Sequence, residues 1–300
     1  MIHVPEELAR SQAKCNGEAG RAFVAGLPGR AEEFLGRWGL EVTGPSMYGA
    51  ASLVLPVRRV ADGTRAALKM QLLDEETAGE PDGLRVWDGA GVVRLLDHDP
   101  GTGTMLLEWL DAARPLSSVA ETSGVREALR IVAGLLARLV AVPAPPGLRT
   151  LGDIAAGMPA AVPEAAGRLG TEDAAVLREC AAAVRDVAGE PGDRLLHWDL
   201  HLDNVLAAER EPWLAIDPKP LAGDPGFELL PALMDRFDPD PGEALWRFDL
   251  LAEVVGDRRR AVAWTLGRVL QNGLWDVEDG EPELDAEQVA LARILLARRA

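Results

Sequence analysis

Several residue types are scarce in this chain of 300 residues. The two cysteines, Cys15 and Cys180, are too few for a framework of disulfide bonds and indicate a reducing compartment. Lysine and asparagine occur three times each, although the chain has 31 basic residues in all, so arginine is its default cation. We expect a residue type that the chain otherwise avoids to have a specific role where it does occur.

Positive charge and long apolar runs are scarce too. The formal net charge of −17 disfavours a nucleic-acid partner, which requires a basic surface. It suits a cationic small molecule, although a solvated acidic surface is the simpler explanation. No apolar run is long enough to span a bilayer, and residues 1–7 lack the basic start and apolar core of a signal peptide. We therefore expect a cytoplasmic protein without a nucleic-acid or membrane partner. A monomer or weak dimer is our expectation for its oligomeric state, which the sequence itself does not give.

The hydropathy pattern divides the chain into two parts. With 48% hydrophobic and 26% charged residues, the composition is typical of an ordered globular protein. We predict an α+β fold in which residues 1–110 form a small β-rich part and residues 111–300 form a larger, mostly helical part. The first part begins with helix over 6–38, which we expect to break near 26–29 because glycine and proline cluster there.

Strands are predicted in the first part only, apart from the central stretch considered next. Residues 52–57 and 65–72 read as antiparallel strands joined at Asp62-Gly63. A helix is expected over 74–88, which Pro81 either starts or kinks. Two further apolar runs follow, at 92–96 and 104–110. The predicted helices of the second part are 118–141, 152–167, 172–188, 226–236, 242–255, 258–274 and 285–299.

One polar stretch, His-Trp-Asp-Leu-His-Leu-Asp-Asn at 197–204, lies between apolar residues in the middle of the chain. Apolar runs precede this stretch and also precede Asp217, so we expect two short buried strands joined as a hairpin. The hairpin would bring together Asp199, Asn204 and Asp217. A carboxylate that accepts a hydroxyl proton, with an amide and a second carboxylate that hold Mg²⁺, is what phosphoryl transfer from a nucleotide requires.

Two other interpretations of this stretch stay open. Its polar residues would also serve as turn residues that cap a hairpin. In a regular strand, alternate residues share a face, which would place His197, Asp199, His201 and Asp203 together as a metallohydrolase site. The chain offers few further histidine ligands, however. His197 is therefore expected to pack in the core and to hydrogen-bond the backbone of the loop.

The first part contains candidates for binding a nucleotide. Lys69, in the middle of a predicted strand, would hold phosphates if Glu76 or Glu80 on the next helix fixes it; otherwise it is an edge lysine that discourages aggregation. A turn-rich loop at 44–49 would cover phosphates with backbone N–H groups, or is an ordinary hairpin turn. The backbone at Glu108–Leu110 would meet the edge of an adenine, or is merely the end of a strand.

These residues together resemble the aminoglycoside phosphotransferase family. The resemblance extends from about Trp38 to the C-terminal helices. It is greatest for the branch that contains the streptomycin phosphotransferases and hydroxyurea-resistance kinases. The segments that carry it, besides Lys69, Glu80 and the connector at 108–110, are the His-x-Asp-x-x-x-x-Asn run at 197–204 and the segments 85–89, 92–96, 213–219 and 223–225.

The resemblance implies a protein-kinase-like two-lobed fold and an O-phosphotransferase that depends on ATP and Mg²⁺. The N-terminal lobe would bind the nucleotide, and the C-terminal lobe would carry the catalytic loop and the acceptor site. In the C-terminal lobe Asp199 would be the catalytic base, and Asn204 and Asp217 would be the ligands of Mg²⁺.

In the N-terminal lobe the resemblance implies that Lys69, paired with Glu80, contacts the α- and β-phosphates. The backbone from Glu108 to Leu110 would bind adenine. Three residues depart from the family pattern, namely Trp198, Pro220 and Pro81. None of them removes a chemical group that the reaction needs, so we expect an active kinase.

By resemblance, the acceptor is a small and cationic molecule with a hydroxyl group, an aminoglycoside such as streptomycin. An acidic loop at 275–281 would bind it through charge and through stacking on Trp275, or is only a solvated connection between helices. Trp246 and Trp264 lie on apolar helical stripes and are expected in the core. Two alternatives stay open: a metabolic kinase with an unrelated alcohol as acceptor, and a non-catalytic regulator that binds nucleotide.

Overall fold

The computed structural model describes residues 2–49 and 51–298, and the chain forms two compact units. The first unit contains Met1–Ala113 and Ala207–Leu214, and the second contains Arg114–Leu206 and Ala215–Ala300. The division thus lies three residues beyond the boundary predicted after Leu110. It also assigns a short segment of the predicted helical part, 207–214, to the first unit.

The first unit is an antiparallel sheet with a long helix packed on it. The elements of this unit are α1 (Glu6–Arg37), β1 (Leu40–Val42), β2 (Met47–Tyr48), β3 (Ser52–Arg59), β4 (Arg65–Gln71), α2 (Glu80–Trp87), β5 (Leu95–Asp99) and β6 (Thr104–Glu108). The order of the strands is β1-β3-β4-β6-β5, and β2 also pairs with β3. The predicted hairpin is confirmed, since β3 and β4 pair from Ser52↔Gln71 to Arg58↔Arg65 around the turn at Asp62-Gly63.

Helix α1 buries an apolar stripe that includes Leu27 and Phe34 against sheet residues such as Leu55. The break predicted near 26–29 is wrong, because α1 continues through Pro28. The kink lies instead at Gly17, whose φ of 54° and ψ of −121° are accessible to glycine at little cost.

Helix α2 is shorter than the predicted 74–88. It begins at Glu80, and Pro81 occupies its first turn, where the missing N–H of proline would have no partner in any case. The preceding residues form turns in which the Asp74 carboxylate accepts hydrogen bonds from the backbone and hydroxyl of Thr77. Asp88, in the left-handed region at φ 45°, ends the helix.

The second unit is mostly helical, as predicted. The elements are β7 (Asp111–Pro115), α3 (Ser117–Thr122), α4 (Val125–Leu139), α5 (Leu151–Arg168), α6 (Thr171–Arg185), β8 (Arg194–Leu196), β9 (Val205–Ala207), β10 (Trp213–Ala215), β11 (Leu221–Gly223), α7 (Leu230–Met234), α8 (Pro241–Val255), α9 (Arg258–Glu278) and α10 (Ala286–Leu296). The chain passes from one unit to the other within β7, β9 and β10, and β8 pairs antiparallel with β11.

Three predicted helices of this unit differ from the observed ones. The segment predicted as 118–141 is divided at Gly124, whose φ of 92° is incompatible with a continuing helix. The segment 226–236 is a 3₁₀ turn, Pro225–Glu228, followed by the short α7. Helix α10 ends at Leu296, and residue 299 of the predicted 285–299 lies outside the described residues.

The loop predicted at 275–281 is wrong over residues 275–278, which belong to α9. The helix continues to Glu278, because Val277 is buried and holds the last turn against the unit. Trp264 on the same helix is fully buried, as expected. Trp246 on α8 is only partly buried, and the guanidinium groups of Arg126 and Arg130 lie over its ring. Along residues 2–49 and 51–298, no helix combines the length and the apolar composition that crossing a bilayer requires.

Candidate functional site

The polar stretch at 197–204 follows β8 directly and forms a loop that ends in a 3₁₀ turn, Leu202–Asn204. His197 is fully buried, and burial lowers the pKa of its imidazole to about 4. Its Nδ1 lies 3.4 Å from the backbone N–H of Asp199, and its carbonyl accepts a hydrogen bond from the backbone of Lys219 at 2.9 Å. The expectation that His197 packs and supports the loop backbone is thus met.

The backbone of the loop is held by a buried carboxylate. Both oxygens of Glu228 accept the backbone N–H of Trp198, at 2.9 and 2.8 Å. Trp198 has a φ of 66°, an unusual conformation for a bulky residue, so this anchor stabilises a strained position beside Asp199. Burial raises the pKa of Glu228 to about 8, although the hydrogen bond from Trp198 and the charge of Arg268 act in the opposite direction.

Asp199 and Asn204 are in contact, as predicted. The Asn204 amide nitrogen donates to the backbone carbonyl of Asp199 at 2.9 Å and lies 3.4 Å from its Oδ2. The backbone N–H of Ile216 donates to the Asn204 carbonyl at 2.8 Å, which places the residue before Asp217 beside Asn204. These three residues therefore lie in one region of the second unit, but the predicted hairpin is wrong: β8, before the polar stretch, pairs with β11, and β10, before Asp217, pairs with β9.

A fourth side chain joins this region. The Lys219 ammonium lies 3.5 Å from Oδ2 of Asp199, and both side chains remain partly exposed. The sequence indicated that Lys219 is one of three lysines, but no role followed from that observation. The structure places it against the residue that was predicted to be the catalytic base.

The alternative of a His/Asp metal site rested on a regular strand over 197–203. The loop and 3₁₀ turn do not have the alternation of a strand, and His197 is buried away from solvent. In the part of the chain that the structure describes, no group of three or more His, Cys, Asp or Glu side chains is arranged to hold a metal ion. The geometric premise of this alternative is therefore not met.

Two cations lie close to the ring of Trp198. The guanidinium carbons of Arg149 and Arg268 are 4.4 and 4.5 Å from its ring centroid. Its ring centroid is also 6.3 Å from that of Trp275, which is 39% exposed. Partial burial and neighbouring carboxylates raise the pKa of Asp276, the next residue on α9. Neighbouring planar side chains thus connect the loop beside Asp199 to the surface at the end of α9.

In the first unit, Lys69 and Glu80 form the predicted pair. The Lys69 ammonium lies 2.7 and 2.8 Å from the two oxygens of Glu80, and Gln71 donates to the same carboxylate at 2.8 Å. Pro81 favours this arrangement, because it starts α2 and so places Glu80 in the first turn, where the helix dipole stabilises a carboxylate. Glu76, the other candidate, precedes the helix.

The connector at 108–110 has a different set of partners. The backbone N–H of Glu108 donates to the carbonyl of Arg94, so this donor is occupied within the sheet. The Glu108 carboxylate accepts hydrogen bonds from the backbone of Arg94 and from the guanidinium of Arg210. Leu110 is buried. Adenine binding through this backbone stays a prediction.

The turn-rich loop at 44–49 forms a hairpin with β3. Met47 and Tyr48 pair with Val54 and Leu53, and the backbone N–H of Gly49 donates to the Ser52 carbonyl. Ala50 lies outside the described residues. That the loop covers phosphates also stays a prediction.

Sequence reasoning missed the residues that support the site from a distance: Arg149, Arg210, Glu228 and Arg268. A signal existed for Glu228, since it is a single carboxylate within an apolar run, Phe227 to Leu230. Charged residues inside such a run are rarely buried without a partner. For the three arginines we find no comparable signal, because arginine is the default cation of this chain.

Comparison with known structures identifies the fold. The crystal structure of aminoglycoside phosphotransferase APH(4)-Ia superimposes with a TM-score of 0.64 at 14% identity, covering 91% of this chain and 99% of that chain. A choline/ethanolamine kinase family protein from Mesorhizobium loti gives a TM-score of 0.55 at 16% identity, covering 90% and 93%. The predicted α+β, protein-kinase-like two-lobed fold is confirmed.

Sequence comparison identifies closer relatives. The chain is 63% identical over 300 residues to a hydroxyurea phosphotransferase of Kitasatospora aureofaciens, covering 99% of this chain and 87% of that protein. It is 57% identical over 303 residues to a streptomycin 6-kinase of Streptomyces glaucescens, covering 98% and 97%. Residues 37–280 match the model of one family, described as "Aminoglycoside/hydroxyurea antibiotic resistance kinase". The chain therefore belongs to the aminoglycoside/hydroxyurea antibiotic resistance kinase family.

Proposed function

We infer that this protein is an O-phosphotransferase that transfers the γ-phosphoryl group of ATP to a hydroxyl group of a small molecule. The observation that carries this inference is the arrangement of Asp199, Asn204 and Asp217 in one loop region. Membership of the family and the identity of 54–63% to kinases of streptomycin and hydroxyurea support it.

Asp199 is the proposed catalytic base. Its side chain is 28% exposed, so an acceptor hydroxyl can reach it, while the Asn204 amide donates to the backbone carbonyl of the same residue. The carboxylate orients the hydroxyl and accepts its proton as the acceptor oxygen bonds to the γ-phosphorus. The bond from the γ-phosphorus to the β–γ bridging oxygen breaks, ADP leaves, and the proton passes from Asp199 to solvent.

Asn204 and Asp217 are the proposed ligands of Mg²⁺. Hard oxygen ligands fit this ion, which usually takes one or two protein carboxylates and completes its shell with water and phosphate. The side-chain amide nitrogen of Asn204 donates to Asp199, which leaves the side-chain oxygen Oδ1 of Asn204 as the atom for a cation. When bound, Mg²⁺ would neutralise charge on the phosphates. The chain's own part is to keep these two oxygen ligands in place through the backbone bond from Ile216 to Asn204.

Lys69 is the proposed contact for the α- and β-phosphates. Its short bonds to Glu80 fix the direction of its side chain, which a long flexible lysine would otherwise lack. The backbone at Leu110 is the proposed contact for adenine, together with the carbonyl of Glu108. Lys69, Glu108 and Leu110 all belong to residues 1–110, which are the proposed nucleotide-binding part.

The proposed acceptor is an aminoglycoside of the streptomycin type. The acidic composition of the chain and the carboxylates at the end of α9 suit a cationic substrate. Hydroxyurea, which also carries a hydroxyl group, is a second candidate, favoured by the 63% identity to a protein named as its phosphotransferase. We retain the cytoplasm as the proposed location, since Cys15 and Cys180 are both free thiols.

The test is transfer of ³²P from Mg²⁺ and [γ-³²P]ATP to a panel that contains streptomycin, other aminoglycosides and hydroxyurea. We expect label on one of these acceptors and a rate about 10²–10⁴-fold lower for Asp199→Asn. If hydroxyurea alone is labelled, hydroxyurea and not an aminoglycoside is the acceptor. Binding of ATP without transfer to any acceptor would favour the non-catalytic regulator, and the absence of both would refute the proposed function.

A further inference from the structure

The segment Asp217-Pro218-Lys219-Pro220 has one charged side chain without a role in the proposed function. Lys219 lies between two prolines, each of which fixes its own φ and restricts the residue before it. Its backbone N–H donates to the carbonyl of His197 at 2.9 Å. The backbone of Lys219 is therefore held rigidly against the loop that carries Asp199.

The side chain of Lys219 is directed at the proposed base. Its ammonium lies 3.5 Å from Oδ2 of Asp199, longer than the 2.7–2.9 Å of a direct charge-assisted hydrogen bond. The side chains of Lys219 and Asp199 are 37% and 28% exposed. The pair is thus partly exposed and is not joined by a short hydrogen bond, so a third group can approach both members.

The proposed reaction brings such a group to this position. A hydroxyl that donates its proton to Asp199 lies about 2.6–3.2 Å from the carboxylate, and the phosphorus bonds to that same oxygen. The equatorial oxygens of the transferred group therefore come within reach of a cation that is already beside Asp199. A lysine ammonium has three donors that rotate freely, so it can contact a carboxylate and a phosphoryl oxygen together.

The identity of the residue supports a specific role. Of the 31 basic residues in the chain, 28 are arginine, and the lysines are Lys14, Lys69 and Lys219. A rigid planar guanidinium would meet the Asp199 carboxylate in a bidentate pair and occupy it, whereas an ammonium is a compact charge that leaves the carboxylate accessible.

We propose that Lys219 is a catalytic residue whose ammonium contacts the phosphoryl group while that group moves from the nucleotide to the acceptor. This inference rests on the proposed function and deepens it. Negative charge on the three equatorial oxygens has to be stabilised in the transition state, and a fixed cation beside the acceptor oxygen does so without reorganisation. The proton still passes to Asp199, and Lys219 stays protonated throughout.

The first test compares Lys219→Met with Lys14→Met, a control on the exposed surface of α1. We expect kcat to fall about 100-fold in Lys219→Met and to be unchanged in the control. A second measurement needs no turnover. Titration with the non-hydrolysable ATP analogue AMP-PNP is expected to show weaker binding by about tenfold in Lys219→Met, while ADP, which lacks the γ-phosphoryl group, binds as in the wild type.

The second test separates direct contact from an effect through Asp199. If Lys219 acts on the phosphoryl group, Lys219→Met weakens AMP-PNP binding and slows residual turnover in the Asp199→Asn background as well. If Lys219 only positions Asp199, the double variant behaves as Asp199→Asn alone, and the proposal is overturned. Lys219→Gln serves as a second neutral variant if Lys219→Met unfolds, and Lys219→Arg is expected to recover only part of kcat.

The outcomes distinguish this inference from the proposed function. A wild type that transfers phosphate, with Lys219→Met equal to it in kcat and in AMP-PNP affinity, refutes the role of Lys219 alone. A wild type that binds neither ADP nor AMP-PNP and transfers no phosphate refutes the proposed function, and the role of Lys219 with it.

Discussion

Each of the two units contains a lysine paired with a carboxylate, and the two pairs are built in opposite ways. In the first unit the atoms of Lys69 and Glu80 lie 2.7 Å apart, and the side chains are 4% and 2% exposed. In the second unit Lys219 and Asp199 lie 3.5 Å apart, and the side chains are 37% and 28% exposed. The same two chemical groups thus form a closed pair in one unit and an open pair in the other.

We infer from this contrast that the two pairs have different roles. Water is excluded from the closed pair, and Gln71 supplies a further hydrogen bond to Glu80, so neither charge can lose its partner without a large penalty. Water still reaches the open pair, which contributes little to stability but leaves both groups accessible to a substrate. We expect substitutions in the closed pair to lower the stability and substitutions in the open pair to lower the rate.

The largest effect is expected from breaking the closed pair. Lys69→Met leaves the Glu80 carboxylate buried without its cation, so we expect the free energy of unfolding to fall by about 3–5 kcal/mol. Urea titration of the variant against the wild type measures this change. The matched control is the double variant Lys69→Met with Glu80→Gln, in which no charge is left, and which should recover part of the loss. A loss below about 1 kcal/mol in the single variant would mean that the pair is open to water.

The next effect concerns His197 of the second unit, whose side chain is buried from water as those of Lys69 and Glu80 are. Its pKa is about 4 in the folded protein against 6.5 as the ordinary value. Because the folded state binds fewer protons, the stabilising contribution is complete above pH 6.5 and is lost as the pH falls toward 4. The difference corresponds to about 3 kcal/mol.

We test this with His197→Gln, since glutamine cannot take up the proton. The wild type should lose about 3 kcal/mol more than His197→Gln between pH 7 and pH 4, measured by urea unfolding at each pH. His3→Gln, at an exposed position near the N-terminus, is the control for the replacement of a histidine. Parallel curves for the wild type and His197→Gln would show that the imidazole is not desolvated.

Glu228 is predicted to have the opposite dependence on pH. Burial raises its pKa from 4.5 to about 8, so the folded state holds a proton that the unfolded state has lost. The stabilising contribution is therefore complete below pH 4.5 and is lost as the pH rises to about 8. Glu228→Gln keeps an oxygen that accepts the backbone N–H of Trp198, but it cannot ionise.

We expect Glu228→Gln to match the wild type near pH 5 and to become the more stable protein by pH 9. Glu228→Ala, which leaves the buried N–H of Trp198 without its acceptor, should cost about 1–3 kcal/mol at every pH. Thermal or urea unfolding at pH 5, 7 and 9 measures both effects. If wild type and Glu228→Gln keep a constant difference over this range, the carboxyl group is already ionised at neutral pH.

The parts of the site that could be predicted are those whose residues lie close together in the sequence. Asp199 and Asn204 belong to one short stretch of unusual composition, and the apolar runs before this stretch and before Asp217 predict the two short strands β8 and β10. The pairing of these strands was predicted wrongly, because their partners, β11 and β9, were not predicted as strands. The pairing of Lys69 with Glu80 could also be predicted, because a strand and the helix after it are neighbours in most folds.

The parts that could not be predicted depend on contacts distant in sequence. Glu228 holds the loop from 30 residues away, and Arg268 stacks on Trp198 from still further along the chain. Local rules also failed where packing overrode them. Helix α1 continues through Pro28, and α9 continues to Glu278, because buried residues such as Leu27 and Val277 hold these turns against their unit.

The smallest expected effect on stability is that of Lys219→Met. It compares the open pair directly with the closed one. The substitution is chemically the same as Lys69→Met. It should nevertheless lower the free energy of unfolding by less than about 1 kcal/mol, because water and salt already screen an exposed pair at 3.5 Å. Urea unfolding of Lys14→Met, Lys69→Met and Lys219→Met side by side measures all three lysines of the chain under one protocol.

If Lys219→Met is nearly as stable as Lys14→Met and yet turns over slowly, the loss of rate cannot be attributed to a loss of structure. If it is instead destabilised as strongly as Lys69→Met, the open pair is part of the structural framework, and the contrast between the units disappears. The open pair is also expected to respond to salt, since an ionic strength of 1 M shortens the screening length to about 3 Å. The closed pair, from which water is excluded, should be far less sensitive to the same change.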